Sequence, residues 1–116
     1  MIYMNPYFAN LTDVPEIRTN YFKEGDDNGY FLKTSFNTTY LIRSISIQFG
    51  LIDFSNDEAK NWAKNILKNN LLEEGQAIGW MADFGEYTPT DAVYKTYLGS
   101  SYNYHNRYPF DWAKAN

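Results

Sequence analysis

Ile78-Gly79-Trp80-Met81-Ala82 is an apolar run that stops at Asp83, with Gly85 and Pro89 directly beyond it. A run this short, bounded by turn residues, predicts a buried strand over Ile78 to Ala82 that delivers a carboxylate into a loop. In barrels of alternating strands and helices, such strand ends carry the chemistry. Glu86 and Asp91 lie in the same loop among aromatic residues, which points to a cleft with apolar walls rather than a solvated acidic face.

The rest of the chain supplies alternating elements. Ile2 to Met4 is a β-prone run closed by Asn5-Pro6. Asp13-Val14-Pro15-Glu16 reads as a helix start, with Val14, Ile17 and Tyr21 on one face and Gly25 as its C-terminal cap, so a helix is expected over Val14 to Glu24. After the turn at Asn28-Gly29, short strands are expected at Tyr30–Thr34, Thr39–Ile42 and Ile45–Phe49. Ile45, Ile47 and Phe49 alternate with serine and glutamine, which predicts a half-buried side ribbon. Gly50 is expected to break it before a further strand at Leu51–Phe54.

Ser55-Asn56-Asp57-Glu58 fits a capping box, and Ala59, Trp62, Ala63, Ile66, Leu67 and Leu71 then form an apolar helical stripe closed by Gly75. Beyond the acidic loop, Tyr94 to Tyr104 reads as a polar connection and Phe110 to Asn116 as the opening turns of a helix. Strand, helix, ribbon, strand, helix, strand, helix is the order of an α/β chain building a parallel sheet. With an element under way at each end, the stretch is expected to be a slice of a larger barrel.

Composition narrows the partners. Of 116 residues, 44% are hydrophobic, enough for the core of one domain. Acids number 14 against 10 bases with no basic block, which argues against nucleic acid and anionic membrane as partners. No stretch approaches the roughly 18 apolar residues of a transmembrane helix. The first residues lack the basic start and apolar segment of a secretory signal. Cysteine is absent and His105 is the single histidine, so thiolate and histidine-rich metal sites are excluded. Aromatic residues make up 19%, including 11 tyrosines. Aromatic faces stack on the C–H faces of sugars, which suits a carbohydrate partner, and tyrosines at the margin of the core are the plainer reading.

Asp83-Phe84-Gly85 is the magnesium tripeptide of protein kinases, but no catalytic loop precedes it and no Ala-Pro-Glu segment follows. Asp83, Glu86 and Asp91 do not have the spacing of a calcium loop, so no metal and no cofactor is expected. A glycosidase carboxylate and an aspartate that merely caps the loop are what remain.

Gly79-Trp80-Met81-Ala82-Asp83-Phe84-Gly85-Glu86-Tyr87, continued by Pro89, Thr90 and Asp91, resembles the nucleophile segment of family 31 glycoside hydrolases, in particular the sulfoquinovosidases and related α-glucosidases. Three further segments resemble the family in its own order: Met4-Asn5-Pro6, Leu51-Ile52-Asp53-Phe54-Ser55-Asn56 and His105-Asn106-Arg107-Tyr108-Pro109. Asp57 stands where the family often has proline.

The resemblance implies a partial (β/α)8 (TIM) barrel, covering roughly the third and fourth strands with adjoining helices, and residues 1–116 as part of the catalytic domain. It implies a retaining α-glycosidase in which Asp83 is the catalytic nucleophile and a sugar is the substrate. Trp80 and Met81 are candidates to contact that sugar, with core filling the other reading of Trp80, and Glu86 is expected to help position the site. Asp53 is expected to be structural, and His105 and Arg107 to pack the next helix. The proton donor would come from the rest of the barrel, so the 116-residue chain alone is expected to be inactive. A non-catalytic carbohydrate-binding or interaction protein derived from such an enzyme stays open as a second class, and an incomplete, inactive gene product as a third.

Overall fold

In the computed structural model, which describes residues 2–15 and 17–116, the chain runs β1 (Ile2–Met4), β2 (Tyr7–Ala9), α1 (Tyr21–Asp27), β3 (Leu41–Ser44), β4 (Ile47–Leu51), α2 (Asp57–Ile66), β5 (Trp80–Ala82) and α3 (Ser101–Ala115). A stretch with wide π-helical turns, Leu67–Glu74, prolongs α2. β1 and β5 are parallel, with Ile2 opposite Trp80, Tyr3 opposite Met81 and Met4 opposite Ala82. Parallel neighbours require a long crossover. Here it holds everything from Asn5 to Gly79, with α2 as its main helix. A parallel pair joined in this way is what two neighbouring strands of the expected barrel would form, and among the described residues no closed barrel forms.

The side ribbon exists with shifted bounds. β2, β4 and β3 form an antiparallel sheet in that order, and Gly50 lies inside β4 rather than ending it. β2 was not expected: Pro6 closes β1, but Tyr7–Ala9 at once pairs with Leu51, Gly50 and Phe49. Ile45 is not in a strand. It sits at the tip of the β3–β4 hairpin with a φ of 54° and is 97% exposed. The ribbon is therefore drier at Phe49 than at its tip.

The first helix begins seven residues later than the sequence suggests, at Tyr21 rather than Val14. Its cap is Asn20, whose side chain accepts from the amide of Lys23 at 2.9 Å. The reason is local: Asn10 accepts from both the amide and the hydroxyl of Thr12, and the amide of Val14 donates to Leu11, so this stretch is committed to turns. Val14 is half exposed and has no core to face. Glu16, the other half of the expected start, lies outside the described residues. Gly25 is inside α1, not its cap; the chain leaves through Gly29, whose φ of 67° is the left-handed conformation glycine adopts freely.

α2 is capped by Asn56, which accepts from the amide of Glu58 at 3.1 Å, so the box is displaced by one residue from Ser55. Ser55 turns instead to the loop after β5, accepting at Oγ from the amide of Thr96. Glu58 pairs with Lys95 at 2.9 Å. Ala59, Ala63, Leu67 and Leu71 form the buried row of this helix.

α3 starts at Ser101, so it takes in the end of the expected polar connection, Ser101 to Tyr104, and Pro109 lies in the helix interior rather than near its start. Tertiary contacts hold it: Tyr104 and Tyr108 are buried, the Tyr108 hydroxyl donates to the carbonyl of Ile52 at 2.8 Å and that of Tyr104 to Asp111 at 2.7 Å. Burial of such bulky faces with their hydroxyls satisfied outweighs the roughly 3 kcal/mol that an interior proline takes from a helix. Several of the tyrosines are thus core residues.

Candidate active site

The parallel register extends one bond past β5, where the amide of Asp83 donates to the carbonyl of Met4 at 2.9 Å. The chain then reverses at Phe84, whose φ of 62° is left-handed, a conformation a bulky residue occupies only at a cost of about 1–3 kcal/mol. Packing pins it there. The Phe84 ring meets Tyr3 at 6.3 Å, Tyr7 at 6.2 Å and Tyr87 at 5.8 Å between centroids. The Trp112 indole of α3 donates to the carbonyl of Asp83 at 3.1 Å. Gly85 is buried against α3: a Cβ there would stand 3.0 Å from Trp112 Cδ1 and 3.1 Å from Pro109 Cα. This close approach explains Gly85 and gives Pro109 a place inside the helix.

The result is an exposed Asp83 carboxylate on a clamped backbone. Tyr3 donates its phenol hydrogen to Asp83 Oδ2 at 3.0 Å. The phenol is raised above its ordinary value, first by loss of solvent among its neighbours and then by the Asp83 carboxylate it bonds. It is therefore a donor throughout the neutral range. Tyr7 is pushed up to about 12, by burial first and then by the charge of Glu86.

Glu86 is exposed, and no side-chain hydrogen bond joins it to Asp83 among the described residues. Its charge acts on Tyr7 and Tyr3. Side chains alternate along a strand, so Met81 and Trp80 face opposite ways. Met81 lies beside Tyr3 in the register and shares its face. Trp80 donates from Nε1 to Asn116 at 2.9 Å, at the end of α3.

The other acids are tied up. Asp91 accepts from the Tyr40 hydroxyl at 3.0 Å, which joins the loop to the crossover. Asp53 is buried and accepts from the amides of Ser55 at 2.9 Å and Lys95 at 2.7 Å; burial raises its carboxyl above the ordinary range while those amides oppose the rise. His105 Nδ1 lies 2.6 Å from the carbonyl of Thr88, and Arg107 bonds Asp111, so both serve the loop and the helix. Among the described residues no group of three or more His, Cys, Asp or Glu could hold a metal ion.

A cleft of about 440 Å³ opens beside the loop, between Phe84 and Tyr87 on one side and Tyr7, Ile42, Arg43 and Phe49 on the other. A larger one, about 570 Å³, lies between the end of α1 and Val93–Lys95, lined by Asp53 and not by Asp83. The smaller cleft borders the exposed carboxylate's loop. Tyr3 and Trp112 are the residues that sequence reasoning missed. Each touches Asp83 from a distant part of the chain, and only the position of Tyr3 next to Asn5-Pro6 at a strand end could have hinted at it.

Over residues 1–116 the sequence matches the family described as glycosyl hydrolases family 31, TIM-barrel domain. It is 39% identical over 119 residues to a sulfoquinovosidase of Escherichia coli (strain K12), covering 100% of this chain and 16% of that protein. A sulfoquinovosidase of Agrobacterium fabrum is 35% identical over 115 residues, covering 98% and 16%. Among solved structures, a family 31 sulfoquinovosidase from E. rectale in complex with the aza-sugar inhibitor IFGSQ matches with a TM-score of 0.85 at 38% identity, covering 98% of this chain and 16% of that one. The chain thus spans 16% of the length of each of these relatives.

Proposed function

The chain belongs to glycosyl hydrolase family 31, and from that membership we propose that it carries the nucleophile, Asp83, of a retaining α-glycosidase. The observation that carries the reading is the exposed carboxylate at the end of β5, on a backbone clamped by Met4, Phe84 and Trp112 and hydrogen-bonded by Tyr3. A rigid, solvent-reachable carboxylate suits attack on an anomeric carbon.

In this reading one Asp83 oxygen bonds the anomeric carbon of an α-linked sugar as the glycosidic bond breaks, and water later releases the sugar with its configuration retained. The likeness to two sulfoquinovosidases supports a sulfoquinovoside over a plain α-glucoside as that sugar. Met81 lies on the sugar's side of β5, and Glu86 positions the site through Tyr3 and Tyr7. The departing oxygen takes its proton from a second carboxyl about 5–5.5 Å away. Asp53 is buried, Asp91 is bonded to Tyr40 and Glu86 follows Asp83 too closely to reach the other side of the bond, so the donor comes from another part of the full-length enzyme.

The full-length enzyme treated with a fluorinated sulfoquinovosyl fluoride is expected to acquire one covalent label, found by peptide mapping on Asp83. A label on another carboxylate, or release of the inverted anomer, overturns the reading. As a free 116-residue polypeptide the chain is expected to hydrolyse no glycoside and to self-associate. β1 and β5 each leave one edge unpaired among the described residues, and Ile78 and Leu98 are fully exposed. Gel filtration beside an activity assay checks this; a monomer that unfolds cooperatively would contradict it.

A further inference from the structure

The geometry points to Tyr3 as a positioning residue for the nucleophile: its phenol holds Asp83 Oδ2 and leaves Oδ1 as the attacking atom. The inference deepens the proposed function and rests on it. The bond is 3.0 Å long; Tyr3 lies within β1, and Asp83 is the first residue past β5, still bonded through its amide to the neighbouring strand. The register sets Tyr3 opposite Met81, and the bond from the Asp83 amide to Met4 fixes the carboxylate one step further along. Strand-borne groups hold such a geometry to a fraction of an ångström. The edge of the Tyr3 ring against Phe84, with an interplanar angle of 81°, fixes its remaining freedom.

The titratable groups around the pair are Glu86 on the same loop, Tyr7 on β2 and Tyr87; α3 contributes the neutral Trp112 indole. None of them competes with Tyr3 as donor to Asp83 among the described residues, and the raised phenol keeps its proton.

The bond acts differently in the two halves of the reaction. When Oδ1 bonds the anomeric carbon, the glycosidic electron pair leaves with the departing oxygen, which collects its proton from the acid of the full enzyme. The Tyr3 proton stays on Tyr3. Oδ2 has then become an ester carbonyl, a weaker acceptor than a carboxylate. In the second half the electron pair of the ester C–O bond returns to Asp83 as water attacks, charge builds on the carboxylate, and the Tyr3 bond strengthens as the barrier is climbed. Tyr3 therefore favours release of the sugar from the enzyme more than its capture.

The test is Tyr3→Phe in the full-length enzyme, trapped with the same fluorinated sulfoquinovosyl fluoride and freed of excess reagent. The rate at which the labelled enzyme regains activity is followed. Loss of one hydrogen bond to a charged group predicts reactivation slowed about tenfold, with kcat and KM falling together as the covalent intermediate accumulates. Misfolding lowers the amount of labelled protein but not the rate read from it, so a residual labelled fraction suffices. Reactivation within about twofold of the wild type, with the label on Asp83, overturns the role of Tyr3 and leaves the nucleophile assignment standing. A wild-type label elsewhere than Asp83 takes both down.

Discussion

Asp83→Ala in the full-length enzyme is expected to lower kcat by about 10⁴-fold or more, as removal of a covalent nucleophile does, while the melting temperature stays close to that of the parent. The two outcomes separate because Asp83 is exposed and its backbone is held by bonds that do not involve the carboxylate, from its own amide to Met4 and from Trp112 to its carbonyl. The one side-chain partner lost, Tyr3, is itself part-exposed, and its hydroxyl can turn to water. The shortened side chain also leaves room for a small anion. Added azide is expected to restore turnover of a substrate with a good leaving group and to give the glycosyl azide of inverted configuration, since attack then comes once and from the face Asp83 occupied. A variant that keeps a tenth of the parental rate, or an azide product of retained configuration, would remove Asp83 from the chemistry.

Phe31→Ala is expected to destabilise the domain by about 3–5 kcal/mol, the usual cost of emptying a buried phenylalanine site. Phe31 is 1% exposed and is the point at which three elements meet. Its ring stacks on Phe22 of α1 at 5.4 Å and lies 5.8 Å from Phe8 of β2 and 6.1 Å from Trp62 of α2. A Cβ on Gly25 would fall 2.5 Å from this ring and one on Gly50 2.7 Å from it, so both glycines make way for Phe31. Nothing in this cluster touches Asp83. The variant should therefore show an earlier unfolding midpoint in a denaturant titration of the full-length enzyme, with near-parental kcat per labelled site. A midpoint unchanged from the parent would mean that Phe31 does not join the crossover to the core.

The contrast between those glycines and the acidic loop shows where sequence reasoning succeeds. Asp83 was legible because three local signals coincide within a few residues: an apolar run, an acid and turn formers. The apolar stripe of α2 was legible for the same reason, since its period repeats along the helix and Ala59, Ala63, Leu67 and Leu71 are buried. Gly25 and Gly50 carry strong local meaning as a helix cap and a strand breaker, and here that meaning misleads. Both lie inside regular elements, and their reason is a ring on another segment. The caps of α1 and α2 were misplaced because Asn20 and Asn56 compete with neighbours that look equally suitable, and only the partners that Thr12 and Thr96 provide decide between them.

By itself the sequence determined the α/β class, the side ribbon and the carboxylate at the end of β5, because each is encoded in a stretch short enough for periodicity and turn chemistry to act. Tertiary structure alone decided that Tyr3 meets Asp83 across 80 residues of chain, that Trp80 turns to α3, and that Pro109 sits within a helix. Those outcomes depend on strand register and on which faces find a partner to bury against. Register and partnership belong to pairs of distant segments, and neither segment carries the other's position in its own residues.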